Sequence, residues 1–136
     1  MGDVNRCRII DLPQFQDDRG SLSFVEPPLL PFTIARVYYL YDTPAGAIRG
    51  AHGHRQLEQL MISVSGSVDV ELDDGRRKQA FRLSRADQGL YVSPMIWRSL
   101  ANFATGTVCV VLASHRFDES DYFRDYEGFL AAVTER

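Results

Sequence analysis

The stretch RGAHGHRQLEQLMISVSGSVDVELDDG, residues 49–75, contains the pattern that decides the fold. Apolar and polar side chains alternate through VDVEL, residues 68–72, and turn sequences lie on either side, Ser-Gly at 65–66 and Asp-Asp-Gly at 73–75. Because successive side chains of a β-strand point to opposite faces, this alternation predicts a strand with one buried and one solvated face. The closely spaced turns indicate an antiparallel sheet.

Comparable segments continue the pattern on both sides, over residues 33–114. They are short, rich in Val, Ile, Leu, Tyr and Phe, and separated by Gly, Pro or Asp, as in ARVYYLYD at 35–42 and GTVCVVLAS at 106–114. About ten strands at this spacing are typical of an all-β jelly-roll barrel, a fold that holds ligands inside. We therefore expect an enclosed site.

The two ends of the chain differ from this barrel pattern. The N-terminal part contains CRIID at 7–11 and SLSFV at 21–25, which read as the strands of a peripheral hairpin, followed by a connector with three prolines. The C-terminal part has capping residues and an aromatic stripe at spacings of three and four, typical of short helical turns packed on the core. We expect one domain over residues 1–136, divided into an arm and connector (1–32), a barrel (33–114) and a C-terminal helical segment (115–136).

Composition restricts the class of function. Of the 136 residues, 45% are hydrophobic and 24% are charged, which is ordinary for a folded domain and unlike a disordered or membrane protein. The net charge of −3 leaves no basic footprint for nucleic acid, although a local basic pocket for one phosphorylated ligand is compatible with it. Residues 1–13 lack a continuous apolar segment, which argues against a signal peptide. We expect a cytoplasmic protein without nucleic-acid or membrane partners, in which Cys7 and Cys109 are reduced.

Two histidines, His52 and His54, share one face of a predicted strand because they lie one residue apart. Together with Gly46, Glu58 and Gly66, they resemble the first motif of metal-binding cupins, with one extra residue before the last glycine. Two imidazoles and a carboxylate would suit Fe(II), Mn(II) or Zn(II). Taken alone, this motif predicts a metal site.

The second half of the cupin pattern argues against a metal. Metal cupins carry a further His after a proline, and Arg98 falls at that position in the stretch after Pro94. A guanidinium is always charged and has no lone pair to offer, so Arg98 would repel a cation. Arg98 and Arg49, which precedes the His pair, instead suit a phosphate or carboxylate. We expect neither a metal nor another cofactor.

Several motifs occur together along the chain. They are RGAHGHR at 49–55 with Gln59 downstream, DDG at 73–75, GLYVSPMIW at 89–97, VVLAS at 110–114 and DESDYFRDYEGF at 118–129. In combination they resemble the nucleotide-sugar 3,4-ketoisomerases, over nearly the whole chain from about Arg36 onward. The chain departs from that pattern at Gly53, Arg55 and Arg98, where members commonly have Ala, Lys and His.

The resemblance implies a cupin (RmlC-like) jelly-roll barrel that forms a homodimer and works without a metal. It implies an isomerase whose partner is a dTDP-linked 4-keto-6-deoxyhexose: dTDP-4-keto-6-deoxy-D-glucose would become the 3-keto-6-deoxyhexose, in deoxysugar biosynthesis for a surface polysaccharide or an antibiotic. A nucleotide-sugar 3,5-epimerase of the same fold and a non-catalytic sugar-binding cupin are the alternatives. An epimerase would exchange solvent deuterium into C3 and C5 without moving the carbonyl.

Moving a ketone from C4 to C3 requires loss of the C3 proton, an enediol or enediolate, and return of a proton at C4. Imidazole has a suitable pKa for this transfer. Our hypothesis makes His54 the catalytic base, and the resemblance implies that His52 relays protons or binds sugar hydroxyls. Tyr39 is the preferred partner acid over Tyr38 and Tyr41.

Four further residues are candidates for binding the substrate. Arg49 would stabilise charge on the enediolate oxygen or bind the diphosphate, and Arg98 is a second anion contact. Tyr91 or Trp97 could stack on the thymine or the sugar.

Overall fold

The structure is a computed structural model, and it describes residues 2–134. Its strands are β1 (Arg8–Asp11), β2 (Gln14–Asp17), β3 (Gly20–Ser23), β4 (Arg36–Leu40), β5 (Arg49–His54), β6 (Gln59–Ser65), β7 (Val68–Asp73), β8 (Lys78–Leu83), β9 (Gln88–Val92), β10 (Trp97–Ala101), β11 (Val108–Ala113) and β12 (Tyr122–Phe123). The helix α1 (Tyr126–Thr134) follows, and 3₁₀ turns lie at Val4–Arg6 and Glu119–Asp121. None of the helical segments within 2–134 has the length and apolar character needed to span a bilayer.

Two five-stranded sheets pack face to face, one in the order β1-β9-β6-β11-β4 and the other in the order β12-β5-β10-β7-β8. This arrangement confirms the expected cupin jelly roll with a short C-terminal helix. On β7, Val68, Val70 and Leu72 are at most 1% exposed, whereas Glu71 faces solvent. Each such buried side chain contributes about 1.5–3 kcal/mol relative to exposure, which explains why the alternation decides the fold.

The register of neighbouring strands decides which side chains meet. β5 lies between β10 and β12, so that His52 is paired with Arg98 and His54 with Tyr122. In the other sheet, Tyr38 on β4 lies beside β11. These residues are distant in the sequence, and the strands bring them to one end of the barrel.

The N-terminal arm differs from the sequence-based interpretation. β1 pairs with β9 and becomes the edge of the first sheet, whereas β2 and β3 form a hairpin of their own. The polar stretch QFQDDRGS at 14–21, which the sequence-based interpretation leaves as the turn between CRIID and SLSFV, instead supplies β2 and the start of β3. Phe15 and Leu22 lie opposite each other in this hairpin and are 67% and 59% exposed.

Candidate active site

A cavity of about 320 Å³ lies between the two sheets. Four arginines and no carboxylate line it in the described part of the chain. Such a lining favours an anionic ligand, because guanidinium groups bind phosphate and carboxylate in fixed geometries. The polar lining residues are Arg36, Tyr38, Arg49, His52, Arg98, Tyr122 and Arg124.

The two histidines of β5 lie at different depths. His52 borders the cavity, whereas His54 is 1% exposed and instead borders a smaller cavity of about 40 Å³. Their ring centroids are 4.9 Å apart and the rings are nearly perpendicular. The ring of Tyr122 contacts both, with centroid distances of 5.1 Å to His52 and 4.3 Å to His54. Of the two imidazoles, His52 is therefore the one that a ligand in the larger cavity would touch.

Burial keeps both imidazoles uncharged. Two causes lower the pKa of His52 to about 3: burial is the larger, and the nearby positive charge of Arg98 is the second. The same two causes lower the pKa of His54 further still. A neutral imidazole has a free lone pair, so both rings are in the form that can accept a proton at neutral pH.

Asp121 is a contact of the buried histidine that sequence reasoning missed. Its Oδ1 accepts a hydrogen bond from Gln56 N at 2.8 Å, and its Oδ2 accepts one from Leu57 N at 3.2 Å. The same Oδ2 lies 3.3 Å from Nδ1 of His54. The contact is a close electrostatic approach, because the ring nitrogens of His54 have no aligned hydrogen-bond partner among the described residues. The carboxylate thus favours the tautomer that carries its proton on Nδ1.

The tyrosine in the cavity is Tyr38, which corrects our preference for Tyr39. Tyr39 is 59% exposed on the outer face of β4, where it packs against Tyr41 with ring centroids 5.7 Å apart. Adjacent strand residues face opposite sides, so only one of the pair can point into the barrel. Burial raises the pKa of Tyr38, which keeps its phenol protonated and able to donate.

Arg98 lies at the inner end of the cavity and is 1% exposed. Its guanidinium donates to the side-chain oxygen of Gln59, and its Nη2 donates to Ile96 O at 3.0 Å. Burial lowers the pKa of Arg98 to about 10, so it stays charged at neutral pH. Arg49, at the exposed end of β5, also lines the cavity. The two expected anion contacts are thus brought together.

Tyr91 and Trp97, the two candidates for stacking on the ligand, do not line the cavity. Tyr91 is 3% exposed, and its hydroxyl donates to Glu58 Oε1 at 2.5 Å. The ring of Trp97 packs edge-on against Tyr126 and also contacts Phe129 of α1. Both aromatic rings therefore pack between elements, and the carboxylate of Glu58 accepts from Tyr91.

The segment before α1 supplies two cavity residues that sequence reasoning missed. Tyr122 and Arg124 both line the cavity, and the guanidinium of Arg124 lies 3.9 Å from the ring centroid of Tyr122. Arg124 is held by Glu119 through two hydrogen bonds of 2.8 and 2.7 Å. The capping residues and the aromatic stripe favoured a helix here, but β12 pairs with β5 before the helix begins. Only this pairing places Tyr122 beside the histidines.

The lowered pKa of His52 predicts a pH dependence of stability. The unfolded chain protonates this imidazole as the pH falls below 6.5, whereas the folded chain does so only near 3. Between these values the unfolded state binds more protons, so stability falls as the pH is lowered. From pH 7 to pH 5, the free energy of unfolding should drop by about 1–2 kcal/mol more in the parent than in His52→Asn, after allowance for partial exposure. Denaturant melts of both proteins at the two pH values measure this difference, and equal drops would contradict it.

Comparison with known proteins identifies relatives of this chain. The family model described as FdtA, WxcM-like, C-terminal, matches residues 5–134. The TDP-4-oxo-6-deoxy-alpha-D-glucose-3,4-oxoisomerase of Aneurinibacillus thermoaerophilus is 42% identical over 123 residues, which cover 90% of this chain and 88% of that protein.

Two solved structures extend the comparison. The TDP-quinovose 3,4-ketoisomerase of Campylobacter jejuni is 44% identical with a TM-score of 0.88, covering 92% of this chain and 97% of that one. A histidine-to-asparagine variant of the 3,4-ketoisomerase of Thermoanaerobacterium thermosaccharolyticum, in complex with TDP-4-keto-6-deoxyglucose, is 33% identical with a TM-score of 0.93, covering 96% and 95%. The chain therefore belongs to the WxcM-like, C-terminal family, together with these sugar 3,4-ketoisomerases.

Proposed function

We propose that this protein is a nucleotide-sugar 3,4-ketoisomerase that converts dTDP-4-keto-6-deoxy-D-glucose to the 3-keto-6-deoxyhexose in deoxysugar biosynthesis. The observation that carries the proposal is a neutral imidazole, His52, at the border of a cavity lined by four arginines. A base without charge can take a proton next to a ketone, and the arginines can bind a diphosphate. The substrates named for the related ketoisomerases support this choice of sugar.

In the proposed mechanism, His52 removes the proton from C3 while Tyr38 donates its hydroxyl proton to the C4 carbonyl oxygen. The positive charge of Arg98 stabilises the negative charge that develops on the enediolate. The C3 hydroxyl then returns a proton to Tyr38 as its oxygen becomes the new carbonyl, and the imidazolium of His52 delivers the carried proton to C4. This mechanism assigns the base to His52 instead of His54, because His54 is buried and borders only the smaller cavity. His54, which contacts both the ring of His52 and Asp121, would then orient the imidazole of His52 and adjust its basicity.

The product distinguishes this proposal from its alternatives. Incubation of the protein with dTDP-4-keto-6-deoxyglucose in D₂O, followed by NMR, should show the carbonyl at C3, with deuterium at C4 in those turnovers in which the imidazolium of His52 exchanges its proton with solvent. Deuterium at C5 with the carbonyl still at C4 would identify a 3,5-epimerase instead. Tight binding without any exchange would identify a sugar-binding protein.

We expect turnover without a metal ion. Arg98 lies opposite His52 in the strand register and keeps its charge, so a cation beside the histidines would be repelled. Exhaustive dialysis against a chelator should leave kcat unchanged. Loss of turnover that a single added divalent metal restores would show this expectation to be wrong.

We further propose a cytoplasmic homodimer. The β2–β3 hairpin exposes Phe15 and Leu22, and an exposed apolar hairpin of this kind suits exchange between two copies of the chain. Sedimentation should give twice the 15.4 kDa of one chain. The double variant Phe15→Ser, Leu22→Ser should shift the equilibrium toward the monomer, and a monomeric parent would contradict the proposal.

A further inference from the structure

Three buried or half-buried side chains form a row of hydrogen bonds beneath the cavity. Arg98 Nη1 donates to Gln59 Oε1, and Gln59 Nε2 lies 2.8 Å from the hydroxyl of Tyr38. The row crosses between the sheets, from β10 of one to β6 and β4 of the other. Gln59 in the middle is 1% exposed, so water does not compete for its amide.

The chemistry of arginine sets the direction of every bond in this row. A guanidinium has five N–H donors and no acceptor, so the group of Gln59 that faces Arg98 must be its oxygen. The amide NH₂ of Gln59 then faces Tyr38 and donates to the phenolic oxygen. Since Gln59 uses an acceptor position of Tyr38, the hydroxyl proton of Tyr38 remains free to point into the cavity that this residue lines.

We propose that Gln59 is a positioning residue: its amide, oriented by Arg98, makes the hydroxyl of Tyr38 a donor to the substrate oxygen. This inference rests on the proposed function, in which Tyr38 protonates the C4 oxygen. The same contact assists the transfer itself, because an N–H that donates to a neutral phenol binds more strongly to the phenolate that forms as the proton leaves. The burial that raises the pKa of Tyr38 keeps the proton in place until the substrate takes it.

The substitution Gln59→Glu replaces the amide NH₂ group, which donates, with a carboxylate oxygen, which accepts, and it preserves the shape of the side chain. A carboxylate accepts from Arg98 and also from Tyr38, so the phenolic proton turns away from the cavity. We expect kcat to fall by about 10²-fold, the lower range of general acid catalysis, with little change in KM. Gln79→Glu adds the same charge at an exposed position of β8 and should leave activity unchanged.

The substitution Gln59→Met separates positioning from packing. Methionine has no polar end, so it leaves the Tyr38 hydroxyl free to donate to the substrate although less firmly held. We therefore expect Gln59→Met to lose less kcat than Gln59→Glu. A purely structural role predicts the opposite order, because glutamate is the closer match in shape. In a Tyr38→Phe background, Gln59→Glu should cause a much smaller further loss of kcat than in the parent, because only the pairing of its carboxylate with Arg98 still acts on the reaction.

A titration tests the direction of the hydrogen bond without any turnover. Tyrosine labelled with ¹³C at Cζ gives one resonance for Tyr38, identified by its disappearance in Tyr38→Phe. If the amide donates, Gln59→Met removes a contact that stabilises the phenolate, and the pKa of Tyr38 rises. If Tyr38 donates instead, the same change lowers the pKa.

The two measurements have separate outcomes. A fall in the pKa of Tyr38 in Gln59→Met would overturn the inference, and so would full activity of a folded Gln59→Glu variant. If the parent protein lacks isomerase activity, the proposed function fails, while the titration still decides which group donates. If Gln59→Glu does not fold, the titration of Gln59→Met decides the matter alone.

Discussion

Replacing His52 with asparagine is expected to lower kcat for isomerisation by about 10³-fold, within the range of a lost general base. His52 borders the cavity and is uncharged at neutral pH, whereas asparagine can bind a hydroxyl but cannot carry a proton. The affinity for TDP alone should not change, because TDP lacks the keto sugar on which His52 acts. Progress curves by NMR and calorimetric titration with TDP measure the two quantities.

Two further variants decide between the two histidines of β5. If His54 were the base, His54→Asn would stop exchange of the C3 proton with D₂O and His52→Asn would retain it. We expect the reverse, with His54→Asn retaining measurable exchange. His115→Asn is the matched control, since the third histidine is exposed and lies outside the larger cavity.

Replacing Tyr38 with phenylalanine is expected to lower kcat by about 10²-fold, with KM changed much less. The ring and its packing are kept, while the proton donor at the cavity is removed. Because the developing charge on the C4 oxygen then relies on Arg98 alone, the loss falls on the transition state. Steady-state kinetics with dTDP-4-keto-6-deoxyglucose measure it.

The neighbouring tyrosine supplies the control for this prediction. Tyr39→Phe removes the same hydroxyl from the outer face of β4 and should leave kcat unchanged. A larger loss from Tyr39→Phe than from Tyr38→Phe would return the acid role to Tyr39. That result would also require Tyr39, and not Tyr38, to be on the face of β4 that points into the cavity.

Much of the fold could be predicted from local pattern. The alternation in β7 and the turns on either side of it indicated an antiparallel barrel, and β7 has the expected buried and exposed faces. The N-terminal hairpin was misplaced because CRIID and SLSFV are the more apolar strands, while β2 is entirely exposed and gives no burial signal. Its pairing depends on the partner strand β3, which composition does not reveal.

The sequence predicted some residues of the candidate site and missed others. The pair His52 and His54 was found because a spacing of two is visible in the sequence, and Arg98 was found because it replaces an expected histidine. Tyr122 was missed because its spacing favoured a helical stripe, and Asp121 because no local pattern marks it. Their positions beside the histidines depend on the pairing of β12 with β5. Both residues stand in the motif DESDYFR at 118–124, which is the one signal in the sequence that could indicate them.

The sequence by itself determined the fold class, the shared face of the two histidines and the absence of a ligand lone pair at Arg98, since each depends on residue type and on a period of two. Only the tertiary structure decided which histidine meets the cavity, which tyrosine faces inward and that Gln59 joins Tyr38 to Arg98. The physical reason is that strand periodicity relates residues within one strand but contains neither the depth of a side chain nor the register of its neighbours. Those depend on how two sheets close around one core.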